Sequence, residues 1–412
     1  MPSPAVPRPT PPACEPLCPP RRVLLGPGPS EIEPSVLRAL AQPTLGHLDP
    51  ALFAIQDEIR AQLRAVFGTS NEWTLATSGT GAAGMDACLA GRMEPGDEVL
   101  VDVHGFFGAR MAELAGRFGA RVTAVEGEWG RPADVERLRT AAAGKRFALL
   151  CAVHAETSTG VLQDLAPLSA LARELGALFV VDAVTALGCP PVDADRHGVD
   201  AIYSCMQKGL SCPPGLAPIS FSERAAAKLA ARRERPFWYL DVELLMGYWA
   251  ERAYHHTASS NLYYALHEGC RLALAEGLDE RFARHRARGD ELRRGLEELG
   301  LELLVADGDH LPQLCAVRIP EGVDDGRVRG RLLADYGIEI GGGLGPLKGK
   351  LWRIGLMGAG ATERNVLLCL AALRAALAAE GHGGSQPGLA RIEVARAQVR
   401  EAHRHRPARV QL

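Results

Sequence analysis

No stretch of this 412-residue chain approaches the roughly 20 consecutive apolar residues that a membrane span requires. The first residues lack the apolar run after a basic start that marks a secretory leader. The final Val410-Gln411-Leu412 is not a peroxisomal address, so the cytoplasm is the expected compartment and no membrane partner is expected. An excess of one charge sign is missing too: 46 Lys and Arg stand against 49 Asp and Glu, a net charge of −3, which gives no reason to expect a nucleic acid or an anionic surface as partner. There are ten cysteines, but no CxxC pair sits opposite another. Their scatter from Cys14 to Cys369 suits reduced, mostly buried thiols rather than a disulfide framework, and no metal is expected. No Gly-Lys-Ser/Thr phosphate loop is present.

What is present is an ordinary globular composition, 47% hydrophobic and 23% charged, enough for a substantial core. Residues 1–20 are dense in proline and read as a disordered extension. Residues 21–45 form an N-terminal segment. From 46 to 277, short apolar runs alternate with helical patterns. Strands are expected at Glu98–Asp102, Arg121–Val125, Ala148–Val153, Leu178–Asp182 and Ala201–Tyr203, with helices at Gly108–Phe118, Val135–Ala143 and Pro167–Leu175 between them. These strands are continuous apolar runs rather than alternating ones, as in a parallel sheet covered on both faces. The expected fold is therefore α/β, a large three-layer α/β/α domain with a mostly parallel sheet. After Leu262 the pattern changes to longer helices (Leu262–Glu276, Asp279–Leu299, Asp325–Tyr336, Glu363–Ala379) with strands at Gln313–Arg318 and Leu351–Leu356. Residues 278–380 read as a smaller α+β domain, against which the N-terminal segment can pack. Residues 381–412 form a polar tail in which a short helix over Ile392–Ala402 is one option.

Chemistry concentrates near strand ends. Asp182 closes the run Leu178-Phe179-Val180-Val181-Asp182, and ligands of open α/β sheets bind outside the carboxyl ends of strands. Alone, such an Asp is more often a helix cap. Lys208 follows the next strand. On its own it reads as a loop lysine, but a desolvated lysine becomes a Schiff-base nucleophile. Pyridoxal-phosphate enzymes need such a lysine and an acid facing the pyridinium nitrogen. Ser78-Gly79-Thr80-Gly81-Ala82-Ala83 precedes the helical run Met85–Ala90 and offers backbone N–H groups to an anion, although most Gly-rich turns are only turns. Phe107 suits stacking on a planar ring or a place in the core. The Thr157 hydroxyl suits a ring substituent or a local turn. In Tyr254-His255-His256-Thr257, the Tyr and Thr hydroxyls suit a phosphate better than the adjacent histidines suit a metal. Arg353, inside the apolar run Leu351-Trp352-Arg353-Ile354-Gly355, needs an anion, either a substrate carboxylate or a structural acid.

Taken together and in order, these segments resemble the class V, fold type I aminotransferases, and among them the alanine–glyoxylate / serine–pyruvate (serine–glyoxylate) aminotransferase family. The resemblance runs from about Leu24 to Leu373. It is carried by Leu25-Gly26-Pro27-Gly28-Pro29-Ser30, Ser78-Gly79-Thr80-Gly81, Glu156-Thr157-Ser158-Thr159-Gly160-Val161 and Val181-Asp182-Ala183-Val184. It continues through Gln207-Lys208, Pro213-Pro214-Gly215, Tyr254-His255-His256-Thr257, Gly342-Gly343-Leu344-Gly345-Pro346 and Arg353-Ile354-Gly355. The resemblance implies pyridoxal 5'-phosphate carried by Lys208 as an internal aldimine, with Asp182 on the pyridine nitrogen. It implies Phe107 stacked on the ring, Thr157 near its O3′ oxygen, and Thr80, Gly81, Ala82 and Gln207 on the phosphate. Tyr254 and Thr257 are implied to reach the phosphate of the other subunit of a homodimer. Arg353 holds the substrate carboxylate, and Gly28 and Gly46 line the entrance. The chain departs from the family's usual pattern at Ala82 (histidine in some relatives), at Phe107 (often tryptophan) and at Cys205-Met206 (commonly glycine and a small hydroxyl residue).

The implied activity is a ping-pong transfer of the amino group of a small L-amino acid, alanine or serine, to glyoxylate or pyruvate. Two alternatives stand beside it: ureidoglycine–glyoxylate transamination on the same scaffold, and a non-catalytic protein of this fold. Retention of both Lys208 and Asp182 argues against the second. A cysteine desulfurase needs a nucleophilic thiol on a late mobile loop, whereas Cys315 falls in an expected strand and Cys369 in an expected helix.

Overall fold

The structure is a computed structural model and describes residues 16–382 apart from 234 and 236. Most of the Pro-rich extension, and the optional helix over 392–402, lie outside the described residues.

Seven strands form the central sheet: β1 (Trp73–Ser78), β2 (Glu98–Val103), β3 (Arg121–Glu126), β4 (Leu149–Val153), β5 (Leu178–Asp182), β6 (Ala201–Tyr203) and β7 (Leu216–Phe221), in the spatial order β1-β7-β6-β5-β4-β2-β3. Strands β2 to β6 pair in parallel, and β7 is antiparallel to both its neighbours. Every residue of β4, β5 and β6 is buried, as continuous apolar runs require when helices cover both faces. Pro218 interrupts β7 without cost to the ladder, because pairing with β6 begins only at Ile219.

Helices α1 (Pro34–Leu40) and α2 (Pro50–Phe67) precede the sheet, and α3 (Gly81–Ala90) and α4 (Phe106–Arg117) follow β1 and β2. Local chemistry sets the ends of α2: the Asp49 side chain accepts from Ala51 N at its start, and Gly68 stops it in the left-handed conformation at φ 67°. Ser260–Glu276, where the helical pattern lengthens, belongs to the large core, contributing Tyr263, Leu266 and Cys270.

A second core gathers Leu292, Val317, Leu332, Trp352, Ile354 and Leu373 around a three-stranded antiparallel sheet, in which Leu351–Gly355 lies between Leu314–Arg318 and Gly341–Gly342. The N-terminal segment joins this core: Val23–Leu24 pairs in parallel with Ile338–Glu339, and Leu25 is fully buried.

The large core is closely packed. Phe179, 1% exposed near the start of β5 and opposite Leu150 of β4, belongs to the large core. Phe179→Ala is expected to cost about 3–5 kcal/mol, read as a lower denaturant midpoint at unchanged slope.

Candidate active site

The carboxyl ends of β2, β4, β5 and β6 open on one edge of the sheet, and the residues with chemical potential collect there. Lys208 follows β6. Its amine donates to the Pro27 carbonyl, so the N-terminal segment runs across the lysine. Gly28, at φ +114°, is the crossing point: a Cβ there would lie 2.5 Å from Lys208 Cδ and 2.7 Å from Nζ. Ser30 secures the same loop, its hydroxyl donating to Lys208 O at 2.7 Å and its N–H to Gln207 O at 2.9 Å. Burial lowers the pKa of the lysine amine. The Cys205 side chain opposes that shift and the positive charge of Arg353 adds to it.

Asp182 lies one strand away, with Val153 and Tyr203 beside it in register. Its Oδ1 accepts from Val184 N and its Oδ2 from the Tyr203 hydroxyl, both at 2.8 Å. Burial pushes its pKa up to about 6 against the pull of those two hydrogen bonds. The carboxylate is thus desolvated and oriented, with the charge of Lys208 acting on it only weakly and no ion pair among the described residues.

The anion cradle differs in detail from the sequence expectation. Helix α3 begins at Gly81, earlier than the apolar run, so Gly81 and Ala82 are its first residues rather than part of the preceding turn. Thr80 is the extended residue before it, and its side chain does not cap the helix. Ala83 N and Gly84 N bond back to Thr80 O, and the N–H groups of the first turn face out of the helix end. A Cβ on Gly81 would lie 2.7 Å from Val184 Cγ2, which ties the cradle to the loop after Asp182. Gln207 Oε1 is buried and has no hydrogen-bond partner among the described residues.

Arg353 is buried in the small-domain sheet. Its Nε donates to Gly342 O at 2.7 Å and its Nη1 to Thr157 O at 3.2 Å. No carboxylate among the described residues forms an ion pair with it. Desolvation lowers its pKa to about 10, against the charge of Glu156. A buried guanidinium bonded only to carbonyl oxygens is suited to an incoming carboxylate. Phe107, read from the sequence as lying between strand and helix, sits within the first turn of α4, its N–H donating to Glu156 Oε2 at 3.0 Å.

The structure brings Lys208, Asp182, Gly28, Gln207, Arg353 and Thr157 together through these contacts. It does not bring Tyr254, Thr257 and Gly46 to them within one chain. Tyr254 is 62% exposed and stacks near His47, Thr257 is exposed on the same loop, and Gly46 is exposed with nothing within 4 Å of where its Cβ would be. Two site residues went unread in the sequence. Tyr203 was legible in principle, since parallel pairing of the two expected strands puts it beside Asp182. Glu156 stood inside a quoted segment, but nothing in the sequence said where its carboxylate turns.

An enclosed amine, a desolvated acid one strand away and an open helix N-terminus, set on the carboxyl edge of this sheet, define a fold type I pyridoxal-phosphate enzyme. Comparison with known proteins agrees. The model of the class-V aminotransferases matches residues 29–349, and the chain belongs to that family. It is 41% identical over 381 residues to (S)-ureidoglycine–glyoxylate transaminase of Bacillus subtilis, covering 88% of this chain and 92% of that one. It is 40% identical over 369 residues to alanine–glyoxylate aminotransferase of Oryctolagus cuniculus, covering 88% and 94%. The crystal structure of an alanine–glyoxylate aminotransferase from Nostoc sp. superimposes with a TM-score of 0.87 at 50% identity, covering 89% of this chain and 97% of that one. The chain is an aminotransferase, and its family depends on pyridoxal 5'-phosphate. The residues present fit that cofactor: α3 opens at Gly81 with no side chain capping its N-terminus, the Gln207 side chain is buried with an unpartnered amide atom, and Asp182 is a desolvated acid with no ion pair among the described residues. Among the described residues no helix is long and apolar enough to cross a membrane.

Proposed function

We propose that the protein moves the amino group of a small L-amino acid, alanine or serine, to glyoxylate or pyruvate by a ping-pong reaction, with Lys208 carrying the cofactor. The observation that supports this most is the placement of a buried guanidinium without an ion pair among the described residues, Arg353, within electrostatic reach of an enclosed Lys208 amine. One arginine without a carboxylate partner matches a monocarboxylate.

Pyridoxal phosphate supplies an electron sink for the bond broken at the substrate Cα. The chain supplies the rest. Lys208, whose ammonium is disfavoured by burial, would hold the cofactor through an unprotonated amine and could carry a proton to and from the reacting centre. Asp182 would face the ring nitrogen and favour its protonated form, and Tyr203 and Val184 keep that carboxylate aimed. Thr80, Gly81, Ala82 and Gln207 would hold the phosphate, Phe107 would stack on the ring, and Thr157 would serve its O3′ oxygen. Arg353 orients the substrate carboxylate, while Gly28 leaves room at the entrance. Tyr254, Thr257 and Gly46, exposed in the single chain, complete the site from a second copy, so the working unit is a homodimer. Eight of the described cysteines are buried free thiols, in keeping with a reduced cytoplasmic setting.

A visible absorption spectrum tests this reading. The purified protein is expected to be yellow, to lose that band with L-alanine or L-serine, and to regain it with glyoxylate. A protein that stays colourless after incubation with pyridoxal phosphate sinks it. The similarity to the B. subtilis transaminase favours a second reading, (S)-ureidoglycine as donor. That reading is preferred if ureidoglycine, and neither alanine nor serine, bleaches the band. Arg353→Lys keeps a charge but loses the planar fork. It is expected to raise KM for both donor and acceptor about 10–100-fold, with a smaller change in kcat, measured by steady-state kinetics.

A further inference from the structure

Glu156 ends the two-residue strand Ala155–Glu156 that follows β4, and it is fully buried. Its carboxylate takes hydrogen bonds on both oxygens. Oε1 accepts from Ser158 N at 3.0 Å and from Ser158 Oγ at 2.7 Å. Oε2 accepts from Phe107 N at 3.0 Å and Gly108 N at 3.3 Å, the opening N–H groups of α4. Three backbone N–H groups and one hydroxyl donate to its two oxygens. Ser158 Oγ in turn accepts from Phe106 N at 2.9 Å. The side chain is also seated sterically. A Cβ on Gly105, whose φ is an ordinary extended −178°, would lie 2.3 Å from Glu156 Cγ, so the glycine is required by the glutamate rather than by the backbone.

One carboxylate therefore ties two parts of the site. Through α4 it fixes Phe107. Through the turn it closes on itself, with Gly160 N also bonded to Glu156 O at 2.8 Å, it fixes the Thr157 carbonyl that accepts from Arg353. The charged and titratable groups around it are Arg353, whose positive charge it supports, Asp182, which it opposes, and His104, held at 2.5 Å by Asp102.

We propose that Glu156 is a positioning residue which couples cofactor stacking to recognition of the substrate carboxylate, by holding Phe107 and the Thr157–Arg353 pair from a single buried side chain. This rests on the function proposed above, in which Phe107 meets the cofactor and Arg353 the substrate.

Glu156→Gln tests it, because an amide must present N–H to one of the two donor pairs. Pyridoxal-phosphate affinity is read on the cofactor-free protein by fluorescence quenching, and KM and kcat for L-alanine and glyoxylate on the loaded enzyme. The variant is expected to weaken cofactor binding and to raise KM for alanine, each by about tenfold or more, with kcat changed much less and the thermal midpoint of the cofactor-free protein close to wild type. Glu156→Asp keeps the charge but shortens the reach and is expected not to restore either quantity. Recovery by Asp, or unchanged affinity and KM in the Gln variant, overturns the proposal. If the Gln variant does not fold, Ser158→Ala, which removes only the hydroxyl between Glu156 and Phe106, is expected to move the same two quantities together by about threefold, and no movement overturns it. Wild-type protein that binds no pyridoxal phosphate defeats the functional reading instead, and is distinguished by that control.

Discussion

Lys208→Ala is expected to lower kcat/KM by at least about 10⁴-fold, because the nucleophile and the proton carrier are lost in one substitution. The fold is expected to survive. The side chain's hydrogen bond goes to a single carbonyl, that of Pro27, and removing a desolvated amine relieves a cost as well as a contact. The Ser30 bonds to the backbone of Gln207 and Lys208 do not involve the amine and hold the loop in place. The measurement is turnover of L-alanine with glyoxylate beside a thermal unfolding curve. Turnover near wild type, at full cofactor occupancy, removes Lys208 from the mechanism. A collapsed unfolding midpoint instead makes the lysine structural.

The parts of the fold that could be read from sequence are those in which burial on both faces writes a continuous apolar run. Strands β4, β5 and β6 appear within a residue of their expected bounds, and Glu363–Ala379 matches as a helix. Strands β1 and β7 were not read. In β1, Thr74, Thr77 and Ser78 break up the apolar run, and Pro218 in β7 argues locally against a strand. Their stability comes from pairing with each other over six residues, a non-local fact. The site shows the same division. Lys208 and Asp182 were legible because strand ends announce themselves. The crossing of Gly28 over the lysine, the capture of Arg353 by Thr157 O, and the turn of Glu156 into α4 were not, since each depends on how the two cores meet. The exposed Tyr254 and Thr257 show a further limit: a residue that serves a second copy has no partner to reveal it in one chain.

Asp182→Asn is the second large effect. Asparagine can accept from Val184 N, and its amide can face a Tyr203 hydroxyl turned to accept, so the local bonds are replaceable. The charge is not. A buried carboxylate within hydrogen-bonding distance of a cationic ring nitrogen contributes several kcal/mol at an effective dielectric of about 20, and kcat is expected to fall about 10³-fold. Stability separates the charge from the shape. In the cofactor-free protein the Asp182 pKa stands at about 6, above its ordinary value, because burial penalises the anion. The folded state therefore holds the proton more tightly than the unfolded one. The associated stability is fully present below about pH 4 and is lost as pH rises through about 6, a change of about 3 kcal/mol. Asparagine does not titrate, so the unfolding free energy of cofactor-free wild type relative to Asp182→Asn is expected to fall by that amount between pH 4 and pH 7. With cofactor bound the sign reverses, since a cationic ring nitrogen favours the carboxylate, and wild type is expected to be the more stable of the two at pH 7. A relative stability that ignores pH in the cofactor-free protein, or fails to reverse on loading, separates Asp182 from the ring nitrogen.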